Sequence, residues 1–160
     1  MVTLLVTGGS GRIEIIRENH KTEVCNNMPW YPNGGVSRAA GSTWNDGRLS
    51  ICGGTVYQTT SMNNCYSLEN GQWKENKNNL KMGRHRHAAS NIGTNIWFSG
   101  GYNGQNNWRL SSTEIMHQDG KITSGPNLPE ARSIHCQISY EDTTFVIGKC
   151  IIVAKKTLGG

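Results

Sequence analysis

An apolar strand that ends in a doubled glycine returns at an even pitch along this chain, and that periodicity limits the possible folds more than any other feature. It reads Leu4-Leu5-Val6-Thr7-Gly8-Gly9, then Leu49-Ser50-Ile51-Cys52-Gly53-Gly54, then Ile96-Trp97-Phe98-Ser99-Gly100-Gly101. A fourth copy, Thr144-Phe145-Val146-Ile147-Gly148-Lys149, carries Lys149 in place of the second glycine. The copies are 45, 47 and 48 residues apart. Self-similarity at this period marks a repeat array, in which each repeat is one supersecondary unit and the array presents loops to a partner.

The period extends beyond the glycines. Arg38-Ala39-Ala40-Gly41, Arg84-His85-Arg86-His87 and Arg132-Ser133-Ile134-His135 each open a short strand. Turn chemistry follows at Trp44-Asn45-Asp46-Gly47, Ile92-Gly93-Thr94-Asn95 and Tyr140-Glu141-Asp142-Thr143. Asp-Gly suits a tight reversal because glycine accepts positive φ without steric cost. After each glycine pair a variable loop leads to a third strand, read at Thr22-Glu23-Val24-Cys25, Asn63-Asn64-Cys65-Tyr66 and Thr113-Glu114-Ile115-Met116. A fourth strand carries Trp73, with Thr123 at the matching place. Each full unit is thus four short strands, the size of one propeller blade.

The strand ending in Gly-Gly, the aromatic pair Tyr66 and Trp73 and the upstream Arg-x-x-His resemble kelch repeats over residues 2 to 148. The first unit lacks the aromatic pair, and the third has Met116 and Thr123 instead. The resemblance implies an all-β fold of kelch-type β-propeller blades in which the glycines and aromatics are structural. It divides residues 1–148 into repeats near 1–37 (partial), 38–83, 84–131 and 132–148 (partial), with 149–160 an off-pattern C-terminal tail. Two complete blades, roughly 38–75 and 84–124, are then flanked by two incomplete ones. Closed propellers have at least four blades, so the chain is expected to be an incomplete propeller. Either further blades belong to a longer chain, or edges such as Leu4-Leu5-Val6 and Thr144-Phe145-Val146 are covered by self-association.

Composition agrees with an all-β reading: 20 glycines, and only 17% charged residues. No apolar run is long enough to span a bilayer, and no helical period persists for three turns. Cys52 and Cys65 fall on successive strands of one unit, as do Cys136 and Cys150, so a bridge within each is conceivable, with Cys25 left over. Reduced, buried thiols remain the alternative. No Asn-x-Ser/Thr sequon is present, no signal peptide is expected, and the compartment is left open between cytoplasmic and extracellular.

Several chemistries are weighed and set aside. Leu4 to Ile13 resembles the opening of a dinucleotide-binding turn, but Glu14 falls near the expected third glycine and Ile13, Ile15 and Ile16 lack a helical stripe. His85 and His87 have no further ligand at a helpful spacing, and no Cys-x-x-Cys is present. His87 and His135 are read instead as filling the position after the repeat's Arg. Net charge is +5, and much of it lies in Lys74, Lys77, Lys81, Arg84 and Arg86, read as a solvated connection between blades. With only Trp73 nearby to stack bases, no nucleic-acid partner is expected.

What remains for recognition is the variable loop after each glycine pair, since loops on a rigid scaffold carry function. Tyr57 and Gln58 in one loop, and Tyr102, Asn103, Trp108 and Arg109 in the next, are the candidate partner-binding residues. Tyr, Trp and Arg dominate interface energetics. The expected function is a non-catalytic protein-interaction module without cofactor or metal. The alternative is part of a galactose-oxidase-like propeller enzyme whose catalytic residues lie mostly outside this chain.

Overall fold

Short strand-forming runs, several of them closed by Gly or Asn as at Gly53, Asn70, Gly93 and Gly100, build the described strands. The computed structural model describes residues 36–56 and 60–148 in full, together with the backbone of three strands nearer the N-terminus. Those three are β1 (Val2–Val6), β2 (Ile13–Arg17) and β3 (Thr22–Val24), paired in the order β1-β2-β3. β2 was not anticipated as a member of the repeat. Its run of isoleucines pairs with β1 from Val6↔Ile13 to Val2↔Arg17, so Thr22–Val24 becomes the next strand outward. A strand, not a helix, thus follows the first glycine cluster, which removes the geometry that a pyrophosphate-binding turn requires.

Two four-stranded antiparallel sheets follow. The first joins β4 (Ala40–Thr43), β5 (Leu49–Cys52), β6 (Cys65–Glu69) and β7 (Gln72–Glu75) in sequence order. The second joins β8 (Ala88–Ile92), β9 (Asn95–Ser99), β12 (Thr113–Met116) and β13 (Ile122–Ser124), and a small ribbon of β10 (Tyr102–Asn103) and β11 (Trp108–Arg109) lies between β9 and β12 in sequence. A two-stranded sheet of β14 (Cys136–Tyr140) and β15 (Thr143–Ile147) opens the next unit. The described residues form an all-β structure of short antiparallel, blade-like sheets, consistent with a repeat-type fold.

The repetition is written in backbone hydrogen bonds. Gly54 N–H donates to Arg84 O, and Gly101 N–H to Arg132 O, both at 2.8 Å. Arg86 N–H donates to Arg38 O, and Ile134 N–H to Arg86 O, both at 2.9 Å. Each sheet is therefore stitched to the next by the same bonds. Arg38, Arg86 and Ile134 also share positive φ, at 60°, 55° and 56°. This corrects the sequence alignment by two residues: Arg38 is the counterpart of Arg86, and Val36 is the counterpart of Arg84 and Arg132. Likewise the β5–β6 and β9–β12 registers match Tyr66 with Glu114, not with Met116, since Tyr66 faces Ile51 and Glu114 faces Phe98. Spacing alone misled because the turn between β12 and β13 is longer than the Asn70-Gly71 turn between β6 and β7.

The glycine pairs are where consecutive sheets come closest. Gly53 and Gly100 have φ of 69° and 56°, and a Cβ at either would meet the next unit's arginine carbonyl and histidine ring. These contacts are Arg84 and His87 for Gly53, and Arg132 and His135 for Gly100. Between the two complete sheets lies a core of Trp44, Cys52, Cys65, Leu80, Ile96, Phe98 and Met116. A second cluster, Val36, Leu49, Ile51 and Tyr66, with Trp73 packed at its margin, occupies the other face of the first sheet.

Cys52 and Cys65 are direct cross-strand partners in the β5–β6 ladder and form a disulfide, with their Cα atoms 4.1 Å apart. Cys136 is also disulfide-bonded. Its expected partner Cys150, together with Cys25, Lys149 and the tail, lies outside the described residues. No described helix is long and apolar enough to cross a membrane.

Candidate binding hairpin

The loop after the second described glycine pair folds into the β10–β11 ribbon because its ends pair, Tyr102 with Arg109 and Asn103 with Trp108. Its tip is shaped by asparagines. The Asn103 carboxamide oxygen accepts from Asn106 N–H at 2.9 Å, and Asn107 adopts a φ of 56°, a conformation asparagine tolerates in tight turns. The Tyr102 hydroxyl donates to the Asn107 side chain.

A serine from the preceding unit pins this ribbon. Ser61 Oγ donates to Tyr102 O at 3.1 Å, accepts from Gly104 N–H at 2.8 Å and lies 2.7 Å from His85 Nδ1. Gln105 closes the arrangement by donating to Ser61 O at 2.9 Å and accepting from Ser61 N–H at 3.3 Å. His85 in turn pairs with Tyr102 through reciprocal backbone bonds, and the two rings sit edge to face at 5.3 Å. Burial, with the positive charges of Arg86 and Arg38, holds the His85 pKa below the usual imidazole value. A neutral ring can both accept and donate, which suits this polar junction.

The candidate residues divide clearly in this setting. Trp108 is 55% exposed, and Arg109 beside it is exposed as well. Tyr102 is half-buried against His85. Asn103 is buried, and its amide donates to Gly83 O at 2.7 Å, so it anchors the ribbon to the connection before β8. Tyr57 and Gln58 lie outside the described residues.

The basic run does not behave as one solvated stretch. Arg84 is fully buried: its guanidinium donates to Gly100 O at 2.8 Å, Ser112 O at 2.9 Å and Glu114 Oε1 at 2.7 Å. Glu114 also accepts from the backbone N–H of Lys81 at 2.6 Å and Met82 at 3.3 Å. Lys74 is paired with Glu69 at 3.1 Å on the surface. The sequence reading of a solvated connection fails at Arg84 because its neutralising partner, Glu114, is remote in sequence.

His87 and His135 occupy the repeat position expected for them, sealing the glycine pairs of the preceding unit. His87 is buried and its pKa lies well below the usual imidazole value, first through desolvation and then through Arg84, His135 and His85. Neither of its ring nitrogens makes a hydrogen bond of proper geometry; the backbone at Cys52 comes near enough only to offset part of that depression. His135 is lowered for the same first reason, then by Arg132, while its Nε2 meets Ser99 Oγ at 2.9 Å. Among the described residues no group of three or more His, Cys, Asp or Glu is placed to hold a metal ion.

Sequence reasoning missed Ser61 and Glu114. Both act through three-dimensional neighbours 24 to 44 residues away, such as His85, Arg84 and Gln105. No known family model matches this sequence, and no curated protein matches it.

Proposed function

We propose that this chain is a stretch of kelch-type β-propeller that acts as a non-catalytic protein-interaction module, with the β10–β11 ribbon as its contact element. The observation that carries the proposal is Trp108. It is a large aromatic, more than half exposed, on a ribbon that the Asn103 and Gln105 side chains and the Gly104 N–H anchor to the neighbouring segments. Trp and Arg are among the residue types most enriched where an interface supplies its binding energy, and both Trp108 and Arg109 are exposed on this ribbon. Rigidity adds to this, because little ordering entropy remains to be lost on binding. The recurring inter-sheet bonds, 48 residues apart at Arg38, Arg86 and Ile134, support the kelch-propeller reading of the scaffold.

A photo-crosslinking residue placed at Asn106, exposed at the ribbon tip near Trp108, captures the partner from cell extract, and one at Lys77 serves as the control site. The captured protein is then titrated against two double variants, Trp108→Ala with Arg109→Ala and Lys77→Ala with Lys81→Ala, at low and high salt, with folding checked by dichroism. The first variant is expected to weaken binding at both salt concentrations. The second should slow association only at low salt, because exposed lysines mainly steer encounter and are screened. Normal binding by the Trp108/Arg109 variant, with lost affinity of the lysine variant at high salt, refutes the assignment.

A further inference from the structure

Asparagine or aspartate followed by glycine is the dipeptide most open to attack by its own backbone, because glycine has no Cβ to shield the amide nitrogen. The described residues hold four such pairs: Asp46-Gly47, Asn70-Gly71, Asn103-Gly104 and Asp119-Gly120. In three of them both reacting groups are occupied. The Asp46 carboxylate accepts from Arg48 N–H at 3.0 Å and Arg48 Nε at 2.8 Å, while Gly47 N–H donates to Trp44 O at 2.9 Å. Asp119 Oδ1 accepts from Lys121 N–H at 2.9 Å, and Gly120 N–H donates to His117 O at 2.8 Å. Asn103 is buried with its carboxamide bonded to Gly83 O and Asn106 N–H, and Gly104 N–H is held by Ser61 Oγ at 2.8 Å.

Asn70-Gly71 differs. Both residues are exposed at the two-residue tip that joins β6 to β7, where Glu69 pairs with Gln72. Neither the Asn70 carboxamide nor the Gly71 N–H makes a hydrogen bond among the described residues. The space is open as well, with nothing within 4 Å of a Cβ placed on Gly71. β7 ends its sheet, and three of its four residues are exposed, so this hairpin tip is a place where local opening costs little. Opening matters because Asn70 sits at a φ of 50° in the closed turn and has to rotate before its side chain meets the Gly71 nitrogen.

We propose that Asn70 is a site of spontaneous deamidation and isoaspartate formation in the folded protein. The Gly71 amide nitrogen gives up its proton to water or hydroxide and attacks Asn70 Cγ. The Cγ–Nδ2 bond breaks and the amide leaves as ammonia, closing a five-membered succinimide. Water then opens the ring at Cγ to give aspartate, or at the Asn70 main-chain carbonyl to give isoaspartate. One water is consumed and one ammonia released, with no oxidant or reductant. Either product sets a new carboxylate beside Glu69, whose own carboxylate is paired with Lys74. Isoaspartate also adds a methylene to the main chain of a two-residue turn that fixes the register of Leu68 with Trp73. The modification therefore loosens β7 and the packing of Trp73 at the margin of its apolar cluster. The inference is independent of the role assigned to the β10–β11 ribbon.

Peptide mapping of the full chain, held folded at pH 8 and 37 °C, tests this, with isoaspartate scored separately by enzymatic methylation of its carboxylate. A sample kept in denaturant reports what the bare sequence does. Asn70 and Asn103 are expected to convert at similar rates in denaturant. In the folded chain Asn70 should convert at least tenfold faster than Asn103, which must first break three hydrogen bonds. Asn33-Gly34 lies outside the described residues and is read on its own peptide. A folded chain in which Asn70 stays intact while the denatured sample converts overturns the proposal. Conversion of Asn103 at the Asn70 rate in the folded chain overturns it as well.

Discussion

Arg84 and Glu114 form a fully buried ion pair at 2.7 Å, and the residues 48 positions before them in the preceding repeat are Val36 and Tyr66, members of an apolar cluster. One structural slot is thus filled by two different chemistries. In the apolar version burial alone supplies the cohesion. In the ionic version the guanidinium also ties Gly100 and Ser112 to the sheet, while the Arg84 carbonyl holds Gly54 of the preceding one. Desolvation is the main cause lowering the arginine's pKa, opposed by Glu114, so the pair depends on both partners being present.

Removing one partner should therefore be costly. Glu114→Ala leaves a buried guanidinium uncompensated and is expected to lower stability by about 3–5 kcal/mol. The double variant Arg84→Val with Glu114→Tyr, which installs the chemistry of the preceding repeat, should recover part of that loss. Urea unfolding of both variants measures it; a Glu114→Ala chain as stable as the wild type would show that the pair contributes nothing.

The glycine pairs should be sensitive for two separable reasons. Gly101 has a φ of 101°, and a Cβ there would come within 2.8 Å of His87 Cβ and 2.9 Å of His85 O. Gly120 has a φ of 82° with nothing within 4 Å. Gly120→Ala is expected to cost about 1 kcal/mol from backbone strain alone, and Gly101→Ala clearly more. Equal shifts in the two thermal midpoints would mean that the close approach of the sheets plays no part.

Acid should loosen the junctions between units. The folded pKa of His87 is depressed below its unfolded value near 6.5, so the unfolded state takes up the proton first. Its contribution is complete above that value and is lost progressively as pH falls toward the folded pKa. His85 and His135 act in the same direction. The melting temperature should fall between pH 7 and pH 5.5, and His87→Leu should flatten that slope. A slope unchanged by the substitution would assign the acid sensitivity to other groups.

The disulfide between Cys52 and Cys65 closes a short loop, with a sequence separation of 13, inside the core shared by the two complete sheets. Replacing both cysteines by alanine should lower stability by about 2–4 kcal/mol. Mass spectrometry after alkylation in denaturant without reductant should find neither thiol modified, because both are buried in the folded protein; labelling of both in the unfolded chain would show that the bridge does not form.

The local grammar of the fold was readable from the residues. Strand-forming runs, Asp-Gly and Asn-Gly turns and the recurring glycine pair act over a few residues, so they predicted β5, β9 and β15 and the hairpins that hold them. The Cys52–Cys65 pairing was conceivable on the same grounds, since adjacent strands bring such residues opposite each other. Repeat equivalence at Arg38 and Met116 was misread, because turn lengths vary and only hydrogen-bond register fixes which residues correspond. Nor could one dimension show that Arg84 is buried or that Ser61 pins the β10–β11 ribbon. Each of these depends on a partner from another strand or repeat, and burial, charge neutralisation and exposure exist only once the sheets have packed.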